Sequence, residues 1–288
     1  MKEYEIKTDI IEQREYKVYK ANEIIQKARY ELNILELKLF AFILSKVKPD
    51  DKEGQEYTIT IKDYCMVCGM DEKNGANYID IKAAIKRLRD KSFWMTDENG
   101  KEFTVGWLSK ARVDKRSGRI TVKLDEDIQK YVIGWFNQYT QYSLIYTLPM
   151  SSSYSFRIYE LLQSYSYAHS HVFDIDDLKS KIGATVYVNF KDFRKRVLES
   201  ATREINTYTD LEVDWEPINK GRKVIQVKFN IRRRDSFGQL EASQRASKQL
   251  DGQINMFDLV LNESAPAPDV GDTDKEIPIT GGNAQEVQ

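Results

Sequence analysis

Between Asn33 and Val47 the apolar residues Leu35, Leu39, Phe42, Ile43 and Val47 return every three or four positions, the period of one face of an α-helix. Asn33 followed by Glu36 has the form of a capping box, and Pro49 ends the run. The pattern predicts a helix to about Val47, preceded by a shorter one in "NEIIQKAR". "YTITIKDYCMVCGM" then alternates as a strand and enters a short helix. "NYIDIKAAIKRLRDKSFWM" returns to helical spacing, with Ile81, Ile85 and Leu88 inward and Lys82, Lys86 and Arg87 outward or flanking. "FTVGWLSKARV" and "RITVKL" read as hairpin arms, joined by "DKRSG", which is turn material.

The second half repeats this order. "SSSYSFRIYELLQSYSY" is a helix with serine caps, and "HVFDIDDLKSKIG" is a strand running into a short helix. In "NFKDFRKRVLESATREINTYTDLEV" the residues Phe190, Phe193, Val197, Ala201 and Ile205 share one helical stripe, opposite Lys195, Glu199, Thr202 and Arg203. "LEVDWEPINKGRKVIQVKFNI" is a second hairpin with "NKGR" at its tip. "TIKDYCMVCG" aligns with "DIDDLKSKIG" and "AIKRL" with "ATREI". Gly69 and Gly183 fall at equivalent helix ends, where glycine relieves left-handed strain. Helix, strand, short helix, basic helix and hairpin is the order of a winged helix. The expected fold class is therefore α+β: two tandem winged-helix domains related by internal duplication, with a disordered acidic C-terminal tail. The expected boundaries are residues 1–137, 138–235 and 236–288. Disorder is expected chiefly from about residue 262, where "APAPDVGDTDKE" is low in apolar content, while "DGQINMFDLVLN" reads either as a short docking element or as an apolar stretch without function.

Composition adds a location and an asymmetry of charge. At 288 residues, with 41% hydrophobic and 31% charged residues, the chain can bury a substantial core. No run approaches the length of a membrane span, and the start, MKEYEIKTDIIEQREYKVYK, lacks the apolar segment of a signal peptide. The expected location is the cytoplasm, and no membrane partner is expected. Cys65 and Cys68 form a lone C-x-x-C, and the two histidines, His169 and His171, lie about a hundred residues away. Small buried hydrophobes are expected at both cysteines, and neither a metal nor a cofactor. From Ser236 onward nine acidic residues face three basic ones, a net −6, which leaves +5 on residues 1 to 235 of a chain whose formal charge is −1.

The basic residues cluster where a winged helix meets DNA. The third helix of such a unit enters the major groove and the wing lies beside the backbone. The candidate contacts are Lys191, Arg194, Lys195, Arg196, Glu199 and Arg203 on the second recognition helix, and Lys220, Arg222 and Lys223 on its wing. In the first unit they are Lys82, Lys86 and Arg87 on the helix and Lys115, Arg116 and Arg119 on the wing. Lysine and arginine neutralise phosphates, arginine can grip guanine with two bonds, and Glu199 can accept from a cytosine amino group. Arg194 sits at the rim of the apolar stripe, a place open to either a phosphate contact or a packing role.

The chain resembles the Rep-type initiator proteins of theta-replicating plasmids. The resemblance rests on "ANEIIQKARYELNILELKLFAFILSKV", on "FNQYTQYSLIYTLPMSSSYSFRIYELLQSY" with its S-x-R-I-Y-E-L-L core, and on "FKDFRKRVLESATREINTYTDLEV", across residues 17 to 234. It implies binding to repeated double-stranded origin DNA (iterons), origin opening, and recruitment of the host replication initiator and helicase proteins. It also implies a bacterial cytoplasmic location in association with plasmid or nucleoid, and a homodimer in equilibrium with monomer, the dimer repressing its own promoter. The apolar excess of "NEIIQKARYELNILELKLFAFIL" points to the first domain as the self-association surface. Two other readings compete. A winged-helix transcription regulator without origin activity would use the same docking chemistry. A rolling-circle nicking enzyme would need a histidine-held metal and a tyrosine nucleophile, yet "YAHSH" separates its two histidines by Ser170 and no third histidine exists. No enzymatic activity is expected, and no G-x-x-x-x-G-K-[ST] occurs.

Overall fold

The structure is a computed structural model; it describes residues 2–96, 99–133 and 138–262, with side chains between residues 9 and 252. The expected disorder beyond residue 262 lies outside the described residues. The first half runs α1 (Lys2–Glu15), β1 (Lys17–Ala21), α2 (Asn22–Lys27), α3 (Ile34–Leu44), β2 (Glu56–Thr60), α4 (Ile61–Val67), α5 (Gly75–Asp90), β3 (Ser92–Thr96), β4 (Glu102–Gly106), β5 (Leu108–Asp114), β6 (Arg119–Leu124) and α6 (Glu126–Gln129). Asn33 and Glu36 close the expected capping box at the start of α3, a device worth about 1 kcal/mol. The second half runs β7 (Tyr139–Ser143), α7 (Ser153–Ser164), β8 (Ser170–Asp174), α8 (Ile175–Ile182), α9 (Phe190–Phe193), a π-helical turn (Arg194–Leu198), α10 (Glu199–Tyr208), β9 (Leu211–Lys220) and β10 (Lys223–Arg233). Ser152 caps α7 by accepting from the amides of Tyr154 and Ser155.

The duplication is visible in the sheets. One is ordered β2-β6-β5 and the other β8-β10-β9, so in both the strand before the helix-turn-helix pairs with the last strand of the wing. Gly69 (φ +67°) and Gly183 (φ +72°) end α4 and α8 in the left-handed conformation. Cys65 and Cys68 are free and buried, and desolvation pushes their thiols up to about 12 and about 11. They behave as small hydrophobes.

The structure departs from the sequence pattern at three places. The helix expected to run through Met95 stops at Asp90. Lys91 turns extended (φ −88°, ψ 142°), and β3 pairs with β4, burying Phe93 and Met95 on alternate positions. The arm expected over 103–113 is accordingly two strands in different sheets, broken at Trp107. That indole is fully buried, with ring centroids of Tyr30, Phe40 and Phe93 at 4.6, 4.9 and 4.7 Å. Third, the chain after Asp235 forms α11 (Ser236–Asn262). Ala242, Ala246 and Leu250, spaced by four, are fully buried on it, and its Asp251 pairs with Arg14 at 2.9 Å.

The two units share one continuous core. β7 returns to pair with β1 over Lys17–Ala21, so residues just past the expected boundary at 137/138 are stitched to the first half. Ile24, Ile25, Leu32, Leu37, Leu39, Phe40, Phe42 and Ile43 are all buried within the chain, and Ile34 and Leu35 are partly buried. The apolar excess that pointed to a dimer surface is thus covered internally, by β1, α7 and the rest of the first unit.

Candidate nucleic-acid interface

The second recognition helix is assembled as α9, the π turn and α10. Asn189 caps it, its Oδ1 accepting from the Asp192 amide. Phe193, Val197, Ala201 and Ile205 are buried as the stripe requires, Phe190 is partly buried, and Leu198 joins them. Val197 and Leu198 are adjacent members of one apolar arc, as an amphipathic helix allows. The helix widens there into a π turn, in which the Glu199 amide bonds to the Arg194 carbonyl five residues back. Lys191, Arg194, Lys195, Arg196, Glu199 and Arg203 are exposed. Thr202 is only half-exposed, and its hydroxyl is buried. Arg194 and Glu199 pair at 3.2 Å, so Glu199 is held by a neighbour and Arg194 by a surface ion pair that a phosphate can replace at little cost. Among the described residues no carboxylate pairs with Lys191, Lys195 or Arg196.

The second wing turns at Gly221 (φ +62°) and exposes Lys220, Arg222 and Lys223. Lys220 and Lys223 face each other across the hairpin. Like charges directly opposite are destabilising, and a polyanion removes that penalty. In the first wing Asp114 organises the turn by accepting from the Arg116 amide (2.9 Å) and the Ser117 hydroxyl (2.6 Å). Lys115, Arg116 and Arg119 stand exposed around it.

The first recognition helix, α5, is less available. Lys82 and Lys86 are exposed, but Lys86 pairs with Asp90 one turn on. Arg87 has a structural role: its Nε lies 2.5 Å from the buried carboxylate of Glu36, which also binds Lys91 at 2.7 Å. Burial alone would raise the Glu36 carboxyl, but the bonds from Lys91, Arg87 and the Asn33 amide bring it below the usual carboxylate range. Sequence spacing places Arg87 on the flank of α5. It does not reveal that the α3 capping box needs a cation there.

Sequence reasoning passed over three exposed aliphatic side chains on the same elements. Val186 and Val188, in the turn between α8 and α9, are 73% and 90% exposed, and Ile79 of α5 is 67% exposed. Their types predict burial, and only the three-dimensional placement shows otherwise. His171 stacks on Tyr165 with ring centroids 3.7 Å apart, and among the described residues no group of three or more His, Cys, Asp or Glu could hold a metal. No helix among the described residues is long and apolar enough to cross a membrane.

Two helix-turn-helix units of the same topology, each with a wing and a basic outer face, define a tandem winged-helix DNA-binding protein. Two family models divide the chain in the same way: "Initiator Replication protein, WH1" matches residues 17–163, and "Initiator Rep protein, WH2" matches residues 174–231. The chain belongs to the Rep-type plasmid replication initiators. It is 24% identical over 241 residues to a replication initiation protein of Escherichia coli, covering 79% of this chain and 74% of that protein. The crystal structure of the Pi initiator protein in complex with iteron DNA has the same fold, with a TM-score of 0.63 and 19% identity over 77% of this chain and 99% of that one.

Proposed function

We propose that this chain initiates plasmid replication by binding repeated duplex sites at an origin. In this reading it opens the adjacent DNA and recruits the host replication initiator and helicase without catalysing a reaction itself. It acts in the cytoplasm. As a dimer in equilibrium with monomer it represses its own promoter. The observation that carries the reading is the uncompensated cation set Lys191, Lys195, Arg196, Lys220, Arg222 and Lys223, gathered on one recognition helix and its wing, the electrostatic footprint of a phosphate-binding face. Membership of the initiator family and the solved Pi initiator's complex with iteron DNA support it. The dimer rests on family resemblance alone, since the apolar residues that suggested it are buried within the chain.

Footprinting on the DNA flanking the protein's own coding region is the direct test. Protected sites in tandem repeat are expected, followed by strand opening next to them on supercoiled DNA. A single protected operator without strand opening would favour the transcription-regulator reading.

A further inference from the structure

In the second helix-turn-helix unit the recognition helix is preceded by Thr185-Val186-Tyr187-Val188-Asn189. Its odd member points inward: Tyr187 is half-buried, its ring meeting that of Tyr154 edge-on at 5.8 Å, and its amide donates to the Ala184 carbonyl at 3.2 Å. Val186 and Val188, on either side, are thereby turned out, to 73% and 90% exposure. The segment is braced from below. Lys179 is almost entirely buried, lies 5.2 Å from the Phe193 ring, and donates from Nζ to the Val188 carbonyl at 3.4 Å. Asn189 is fixed by its two bonds with Asp192. Neither valine serves the turn, because neither has a positive φ.

A rigid pair of β-branched side chains facing solvent gains nothing from water. Their neighbours say what covers them. Val188 is three residues from Lys191, so their Cα atoms lie within about 11 Å, and Arg194, Lys195 and Arg196 follow on the same exposed helix. The occupant must be polyanionic yet present apolar groups at the depth a recognition helix reaches. Duplex DNA meets both conditions: its major groove carries one apolar feature, the C5-methyl of thymine. Ile79 stands three and seven residues before Lys82 and Lys86 on the outer stripe of α5, so the first unit also sets an aliphatic side chain among its lysines.

We infer that Val186 and Val188 are specificity residues, which select thymine at one or two positions of each bound site by packing on its methyl group. The inference rests on the DNA-binding reading above and adds an apolar term to a face otherwise built of charge. Phosphate contacts hold the protein on any sequence, whereas these valines distinguish a T·A pair from the same pair without its methyl.

The test uses the full chain and duplexes that it selects itself from a randomised pool. Each thymine of a selected duplex is replaced in turn by deoxyuridine, which lacks only the methyl group, and affinity is titrated at fixed salt. With about 0.8 kcal/mol per buried methyl-sized group, the wild type should lose about fourfold in affinity at one or two positions. Val188→Ala, Val186→Ala or the double variant should bind the thymine duplex that much more weakly and be indifferent to deoxyuridine at the same positions. The salt slope should be unchanged, since the same phosphates stay neutralised. Both side chains are exposed, so circular dichroism should confirm an intact fold. If the wild type tolerates deoxyuridine everywhere, or the variants keep its sensitivity, the inference is wrong while the DNA-binding reading stands. A chain that enriches no duplex would overturn both.

Discussion

Lys20 of β1 and Glu160 of α7 meet at 2.5 Å with both side chains buried, sealing a charge pair into the seam between the two winged helices. The same carboxylate accepts from Arg157 Nη1 at 2.9 Å and from the Tyr142 hydroxyl at 2.9 Å. Arg157 in turn lies over the Tyr30 ring, 4.0 Å from its centroid, and donates to the Lys181 carbonyl at 3.2 Å. Residues from β1, β7, α7, α8 and the segment before α3 therefore converge on one buried ionic cluster. Such a cluster contributes less to net stability than its distances suggest, because desolvation offsets attraction, but it punishes loss of a single member.

Glu160→Gln leaves Lys20 and Arg157 buried without a counter-charge and should cost about 3–5 kcal/mol. Burial pushes the Glu160 carboxyl up, but Lys20, Arg157 and Tyr142 outweigh it and hold it below the usual carboxylate range. A depressed folded pKa contributes stability above the unfolded value, which is lost as pH falls through the folded one. The gap in melting temperature between wild type and Glu160→Gln should therefore be widest near neutrality and close in acid, below the ordinary carboxylate range. A gap constant with pH would show that the cluster carries no net ionic stabilisation.

The ranking of the two recognition helices is testable. Lys195 and Arg196 have no ion-pair partner among the described residues, whereas Lys86 is paired and Arg87 holds Glu36. Lys195→Ala with Arg196→Ala should weaken binding far more than Lys82→Ala with Lys86→Ala, and should lower the salt slope by about 1 for every phosphate no longer neutralised. Arg87 is unsuitable for this comparison, because Arg87→Ala also exposes the α3 cap. Equal losses from the two pairs in a titration at fixed salt would refute the ranking.

Much of this architecture is legible in the chain, and what is not has physical reasons. Alternation and capping signals mark α3, α7 and both wings, and the repeat itself fixes the fold class. The S-x-R-I-Y-E-L-L stretch marks the family but conceals its own role: Arg157, Tyr159 and Glu160 look like a solvated helix face and are buried. Tyr159 donates to Asp210 at 2.8 Å, while Glu160 accepts from Lys20 across the seam. α11 escapes because its buried stripe is mostly alanine, which composition does not distinguish from a polar linker. The partner of Arg87 lies 51 residues away, beyond any local pattern.

Two truncations separate the parts of the C-terminal region. Ending the chain after Asn262 removes a net −5 and leaves α11 intact. It should preserve the melting temperature and keep or raise DNA affinity at low salt, an effect that added salt screens. Ending it after Asp235 uncovers the surface beneath Ala242, Ala246 and Leu250 and frees the buried Arg14 from Asp251, so it should melt earlier. Gly69→Ala should reproduce part of that loss. A Cβ there would lie 2.3 Å from the Leu250 carbonyl oxygen, and the residue already holds φ +67°. Unchanged melting of the shorter truncation would mean that α11 does not contribute to the core.

The π turn gives the last expectation. It takes up one extra residue within a single wide turn, where Val197 and Leu198 are both buried. Deleting Lys195 would let the segment relax to a continuous α-helix with no buried side chain removed; because the wide turn spreads one extra residue over about the same rotation, the side chains on either side of it keep their phase. A hydrogen bond of poorer geometry is replaced by a regular one, so stability should be kept to within about 1 kcal/mol. DNA affinity should fall no further than with the alanine replacement at the same position, because the basic side chains on either side of the turn keep their place on the groove. Measuring Lys195→Ala and the deletion side by side decides the matter. If the deletion binds much more weakly than Lys195→Ala, the wide turn itself aims the basic face and this expectation is wrong.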